Sequence, residues 1–340
     1  MLARIIYVLI SCFVSAVALA DDVKPNEVAD GAPDRYVVQR GDTLWGISAR
    51  FLKEPFRWPE VWGMNRDQVK NPHRIYPGEE ILLEGRSGAP RLRLGEMSKA
   101  HPAVISENTR QQISSIPQNV IEPFLSQPLV VDENGLRLAP RIIATQEDRV
   151  YVGSNNRVYV TGVKSSDIDW QLYRPGKALV DPDNNETLGY EAFYLGSARQ
   201  THEGEPSTFE ISTARQEIGR GDRLVVASRA QIIDYAPHAP NAGVAGRVIS
   251  VYGGLGEGGR YSVVTLSRGQ RDGLEIGHVL ALYRAGAVVT DRFEGNKETY
   301  KLPEERYGLV FVFRLFDRVS YALVMDASRP LLVGDAVRTP

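Results

Sequence analysis

Residues 36–51 read YVVQRGDTLWGISARF and residues 71–83 read NPHRIYPGEEILL, and the order of elements in these two stretches decides the N-terminal fold. Tyr36-Val37-Val38-Gln39 has strand character, and Arg40-Gly41-Asp42 ends it with turn residues. Asp42 or Thr43 can cap the helix that follows, because a side-chain oxygen there accepts one of the unpaired N–H groups of a first turn. Leu44, Ile47 and Phe51 fall at i, i+3 and i+7, so they share one helix face. Pro55 interrupts the pattern, and a second helix opens at Trp58-Pro59, where the fixed φ of proline suits a first turn. Asn71-Pro72 and Tyr76-Pro77-Gly78 supply further turns, and Glu80–Leu83 reads as a second strand. The expected order over residues 36–83 is strand, helix, helix, strand.

Together with Asn65 at the end of WPEVWGMN, these stretches resemble a LysM domain, a glycan-binding module of cell-wall proteins. The resemblance implies binding of N-acetylglucosamine-containing chains, chiefly peptidoglycan, in a shallow groove between the loop after the first strand and the loop before the last. Carried over, the glycan-binding residues are Gly41, Asp42, Thr43 and Leu44 on one side and Ile75, Tyr76, Pro77 and Gly78 on the other. An acetamido sugar needs hydrogen bonds for its N-acetyl group and an apolar floor for its methyl and ring C–H faces, and two such loops offer both. Gly41 and Gly78 also have a plain backbone explanation, a turn that needs positive φ. Trp45, Trp58 and Trp62 invite a sugar-stacking reading, but in so small a domain aromatics are expected first as core. The connection between the helices, KEPFRW, is longer than in the shortest LysM domains and would alter the groove edge.

Outward on the N-terminal side, residues 1–20 read MLARIIYVLISCFVSAVALA: one cation, an apolar run and an Ala-Leu-Ala end, which is the pattern of a signal peptide cleaved after Ala20. The rival readings are a membrane anchor, for which the apolar run is short of the ~20 residues a span needs, and lipidation at Cys12. Against the latter, the apolar run continues well past the cysteine. Residues 21–35 are a polar, flexible leader.

On the C-terminal side, residues 84–126 read as a linker or docking segment, with Gly85, Gly88, Pro90, Pro102, Pro117 and Pro123 and a short amphipathic stretch, SENTRQQISSIP. From residue 127 the periodicity changes to two: RVYVGSNNRVYVTG, TFEISTA, YSVVTLS, YGLVFVFRLF and SYALVMD alternate apolar and polar or are rich in β-branched residues. The fold class expected is therefore α+β: a small βααβ LysM domain, a linker, and a mainly-β region that is sandwich- or barrel-like. An internal repeat runs through this region. Gly221-Asp222, Gly277-His278 and Gly334-Asp335 each stand between a loop and a strand, with Asn155-Asn156 as a weaker copy, and Tyr-Arg-x-Gly occurs at both Tyr173 and Tyr283. We expect a duplication with halves near 127–235 and 236–340.

The composition excludes several chemistries. The chain has 340 residues, a net charge of −2, 43% hydrophobic residues and one cysteine, Cys12. That suits about two globular domains without a bulk electrostatic pull toward nucleic acid. A single cysteine excludes an internal disulfide framework or a cysteine zinc cage, and loss of the leader would leave none. Gly254, Gly256 and Gly259 match a dinucleotide glycine pattern, but a strand-like YSVVTL follows where a helix is required. The histidines at 73, 101, 202, 238 and 278 are isolated in sequence, so no metal site and no cofactor are expected. The expected function is a non-catalytic periplasmic protein that binds peptidoglycan and carries a β-rich scaffold or partner-binding region. The alternative is a cell-wall hydrolase with a LysM targeting module.

Overall fold

The computed structural model describes residues 27–63, 75–85, 90–95, 116–117, 120–121, 124, 129–131, 136–227, 236–241, 243–252, 256–290 and 298–340. The expected signal peptide, residues 21–26, Asn65 and most of the expected linker lie outside them; the rest of the expected flexible leader instead packs on the N-terminal unit, where Val28 bridges Leu52, Ala29 N donates to Phe51 O and Ala32 is buried. No helix among the described residues is long and apolar enough to cross a membrane.

The N-terminal unit has the expected order: β1 (Arg35–Val37), α1 (Leu44–Phe51), α2 (Trp58–Gly63) and β2 (Glu80–Glu84). It also has a strand that the sequence reading assigned to the linker, β3 (Arg91–Leu94), which pairs antiparallel with β2. Leu92 of β3 joins Val38, Leu44, Ile47, Phe51, Trp58, Ile75 and Ile81 in one core. Arg91-Leu92-Arg93-Leu94 has the period of a half-buried strand, but four residues between Pro90 and Gly95 are too few to stand out.

Two β units follow. In the first, β5 (Arg141–Thr145), β7 (Arg157–Thr161), β10 (Ser207–Ala214), β9 (Thr187–His202), β8 (Asp169–Val180) and β12 (Arg223–Val226) pair in that order, and β12 returns to β5. A side pair, β6 (Tyr151–Val152) with β11 (Ile218–Gly219), stands apart, and β4 (Leu129–Val131) adds to the edge of β9. In the second, β13 (Ala245–Val251), β15 (Val263–Leu266), β20 (Ser320–Ala327), β19 (Glu305–Leu315), β16 (Val279–Arg284) and β22 (Ala336–Arg338) form a closed barrel, with β14 (Glu257–Gly258) and β21 (Leu331–Leu332) as its side pair. Taken in chain order, the two rings have the same pairing scheme, strand for strand. Closure removes the exposed edges that an open sheet would present.

The same turn recurs in both units, and it explains the Gly-Asp pairs of the sequence. The second residue accepts, through its side chain, the N–H of the residue three before it. Gly219 N donates to Asp222 Oδ2 at 2.8 Å and Leu332 N to Asp335 Oδ2 at 2.8 Å. Gly221 and Gly334 hold φ near +90° (90° and 97°), where a side chain is strained. At Asn155-Asn156 the substitution expected for positive φ is present, with Asn155 at φ 64° and Asn156 Oδ1 accepting from Gly153 N. Each aspartate also takes the arginine of the repeated Tyr-Arg-x-Gly: Arg174 Nε to Asp222 Oδ1 is 2.9 Å, and Arg284 Nε to Asp335 Oδ1 is 3.1 Å.

The barrel is buried on two faces. Val248, Val264, Leu266, Leu280, Leu282, Val310, Val312, Val324 and Val337 point inward to fill it. The alternate residues, among them Val279, Ala281, Leu309, Phe311, Phe313, Tyr321 and Leu323, form an outer apolar face. Trp45 and Phe56 of the N-terminal unit and Ile116 and Ile121 of the linker cover that face. A Glu54–Arg306 ion pair of 3.1 Å edges the contact. Double burial is why these strands read as nearly continuous apolar runs.

Candidate glycan-binding site

The two loops that the sequence singled out meet at the open end of the β1–β2 pair. Val38 N donates to Glu79 O at 2.9 Å and Gly78 N donates to Val38 O at 2.8 Å, so residues 39–43 and 75–79 are tied to the same point. In the first loop, Asp42 Oδ2 accepts from Gln39 N (2.8 Å) and from the Tyr36 hydroxyl (2.9 Å). Arg50 lies over the Tyr36 ring at 4.6 Å. Partial burial and the Asp42 carboxylate raise the Tyr36 pKa, so its hydroxyl stays a donor at neutral pH. Thr43 Oγ1 accepts from Gly46 N at 3.0 Å and so is the N-cap of α1. In the second loop, Tyr76 N donates to a Glu79 carboxylate oxygen at 3.0 Å.

The eight residues differ in what they can offer. Gly41, Pro77 and Gly78 are exposed, and Asp42, Thr43 and Tyr76 are half-buried. Gly41 (φ 93°) and Gly78 (φ 95°) have the backbone requirement weighed for them above, and open space lies where a Cβ would stand. Leu44 and Ile75 are fully buried in the domain core. Their side chains face inward because they continue the apolar face of α1 and the approach to β2, so they support the loops from beneath and do not line a groove.

The aromatic residues divide in a way the sequence did not indicate. Trp58 is in the domain core, as expected. Trp45 is equally buried but packs on the barrel, and Phe56 of the KEPFRW loop packs beside it. The longer connection therefore serves the junction with the barrel. The side chain of Trp62 lies outside the described residues.

Residues 36–83 match the LysM domain family. This segment is a LysM domain. The LysM match supports binding of peptidoglycan-type glycan in general. The uncharacterized protein YqbP of Bacillus subtilis (strain 168) is 28% identical over 69 residues, which covers 18% of this chain and 32% of that relative. The similarity thus spans about a third of the relative's length.

One cluster escaped the sequence reading. His238 and His278, remote in sequence, are brought together by a parallel bridge, with ring centroids 4.8 Å apart, and Glu275 lies beside them. One ligand atom from each residue falls within 4.8 Å of the others. His238 Nδ1 lies 3.0 Å from Ala236 O and so carries its proton there, leaving Nε2 with a lone pair. His278 is different: its Nδ1 accepts from Glu275 N at 3.0 Å, which places the ring proton on Nε2. A metal at either nitrogen of His278 would have to displace that proton or that hydrogen bond. A metal-ligating histidine normally has the opposite arrangement, with its second nitrogen donating. His278 instead does for its turn what Asp222, Asp335 and Asn156 do for theirs. Burial and the neighbouring His238 lower its pKa, which keeps it neutral and accepting.

Proposed function

We propose that this protein is exported to the periplasm, binds N-acetylglucosamine-containing glycan of peptidoglycan through Gly41–Thr43 and Tyr76–Gly78, and uses its β units as a non-catalytic scaffold. The observation that carries the reading is the LysM match over residues 36–83. Its two loops are tied together at one end of the domain and exposed there, while the opposite features, Trp45 and Phe56, are spent on the barrel. The leader MLARIIYVLISCFVSAVALA supports export, with cleavage after Ala20. The matched order of the two strand rings and the shared Arg–Asp turns support a duplicated β unit.

The hydrolase alternative has one feature to draw on, the His238–Glu275–His278 cluster, and the proton placement on His278 argues against a metal there. Co-sedimentation with purified sacculi tests the proposal. The full chain should pellet, and replacing Tyr76 and Pro77 together by alanine should return it to the supernatant. Pelleting that is indifferent to those residues would overturn the assigned groove. Release of soluble muropeptides by the purified protein would overturn the non-catalytic reading.

A further inference from the structure

The outer part of the β8–β9 hairpin leans on the second β unit. Leu179 and Leu188 pack against Ile249 and Val319. Around them Asp181 pairs with Arg268 (3.1 Å), Asp183 with Arg247 (3.0 Å) and Glu186 with Arg318. The second unit has the same hairpin, β17 (Val288–Thr290) paired with β18 (Thr299–Lys301). Equivalent positions follow from the register. Arg174 and Arg284 hold equivalent aspartates, and counting outward from each brings Ala178 opposite Tyr190 and Leu179 opposite Gly189 in one hairpin. In the other, Val288 stands opposite Lys301 and Val289 opposite Tyr300. Gly176 and Gly286 occupy the same place, each hard against the carbonyl of the facing strand, at Glu191 and Leu302.

Val289 therefore stands where Leu179 stands, yet Leu179 is 1% exposed and Val289 is 45% exposed. Val288, Tyr300 and Leu302 are exposed beside it. The receiving surface is duplicated too. Gly221 N donates to Ile142 O as Gly334 N donates to Val248 O, which puts Ile143 at the place of Ile249 and Arg141 at the place of Arg247. Ile249 is 8% exposed under its hairpin, whereas Ile143 is 39% exposed. Arg247 holds Asp183, whereas Arg141 is exposed and has no carboxylate partner among the described residues. The apolar hairpin position and the Arg–Ile receiving position of a contact made once within the chain thus each have an exposed second counterpart among the described residues. The described strands of the second hairpin, Val288–Thr290 and Thr299–Lys301, are exposed and do not pack on the first unit, so the relation between the units is not a closed two-fold, and repeating it calls for a further unit.

We propose that the β17–β18 hairpin of one molecule docks on the Arg141/Ile143 face of a second copy, giving head-to-tail association. Such an array would place several LysM grooves in one assembly and raise retention on a polymeric glycan through effective concentration. That consequence rests on the proposed function; the docking itself does not.

Sedimentation velocity over a wide concentration range, on protein beginning at Asp21, tests it. The wild type should associate, and Val289→Asp and Ile143→Asp should each weaken association at least about tenfold, because each buries a charge at the contact. Both sites are exposed in the single molecule, so unchanged thermal midpoints will show that the variants fold. An equimolar mixture is the sharper test. The Val289→Asp chain keeps its receiving face and the Ile143→Asp chain keeps its hairpin, so together they should form dimers and nothing larger. A wild type that stays monomeric throughout, or variants that associate like it, would overturn the proposal. Association lost in Val289→Asp but intact in Ile143→Asp would also do so, since it would mean that hairpins pair with each other. None of these results bears on sacculus binding, so the two readings fail separately.

Discussion

Asp335 is nearly buried, accepts from Leu332 N and the Tyr307 hydroxyl (2.7 Å), and forms an ion pair with Arg284 (3.1 Å), so one carboxylate serves a turn, a strand and a cation at once. Removing it leaves a half-buried guanidinium and a buried hydroxyl without their acceptor. Asp335→Ala should cost about 3 kcal/mol in urea unfolding, near the lower end for breaking a buried pair, and Asp335→Asn should recover part of that by still accepting from Leu332 N. His278 fills the same role with a titratable ring. Its pKa is lowered in the folded state by burial and by His238, so the unfolded chain binds the proton more readily. Stability should therefore fall as the pH drops below about 6.5, the ordinary histidine value. His278→Asn keeps an acceptor in the turn, as at Asn156, and should flatten the change in unfolding midpoint between acid and neutral pH. In the LysM loops, Thr43 is a cap as well as a candidate contact. Thr43→Ala alone should lower stability by about 1 kcal/mol, whereas Thr43→Ser should not. With Tyr76→Ala added, glycan binding measured by calorimetry should weaken while the far-UV spectrum keeps its shape.

At the scale of elements, α1 serves two neighbours. Leu44, Ile47 and Phe51 enter the domain core, and Trp45 turns to the barrel. Its period of three and four was legible in the sequence and placed the helix, while the cap was narrowed to Asp42 or Thr43 and the structure uses Thr43. The partner of Trp45 was not legible, because periodicity states which residues seek burial and not against what. Trp45→Ala with Phe56→Ala should release the LysM domain from the barrel without unfolding it, since Trp58 and the rest of its core are untouched. Trypsin should then cut faster in residues 96–115, and the scattering radius should grow. β3 shows the opposite limit. Four residues with two leucines form a strand because β2 offers an edge and the core offers a place for Leu92. The strands of the barrel were expected from their β-branched runs. Their nearly unbroken apolar character has its explanation in the second, outer face that the LysM domain and linker cover.

For the whole molecule, the LysM domain and the barrel are joined through an apolar contact that leaves Gly41, Pro77 and Gly78 exposed. The sequence by itself determined the LysM domain, down to a cap at Asp42 or Thr43 and the two loops, because local signals decide a helix start, a turn and a short strand pair within fifty residues. It also determined that the remainder would be β structure, and that Gly-Asp and Asn-Asn mark its turns, since positive φ and a side-chain acceptor are requirements of the turn itself. Only the tertiary structure decided which strands pair, that the second set closes into a barrel, that Arg174 and Arg284 hold matching aspartates, that His238 meets His278, and that Trp45 faces the barrel and not the LysM core. Each of these joins residues far apart in the chain. Such contacts are chosen by shape and burial in the assembled molecule, and no period or spacing within one segment encodes them.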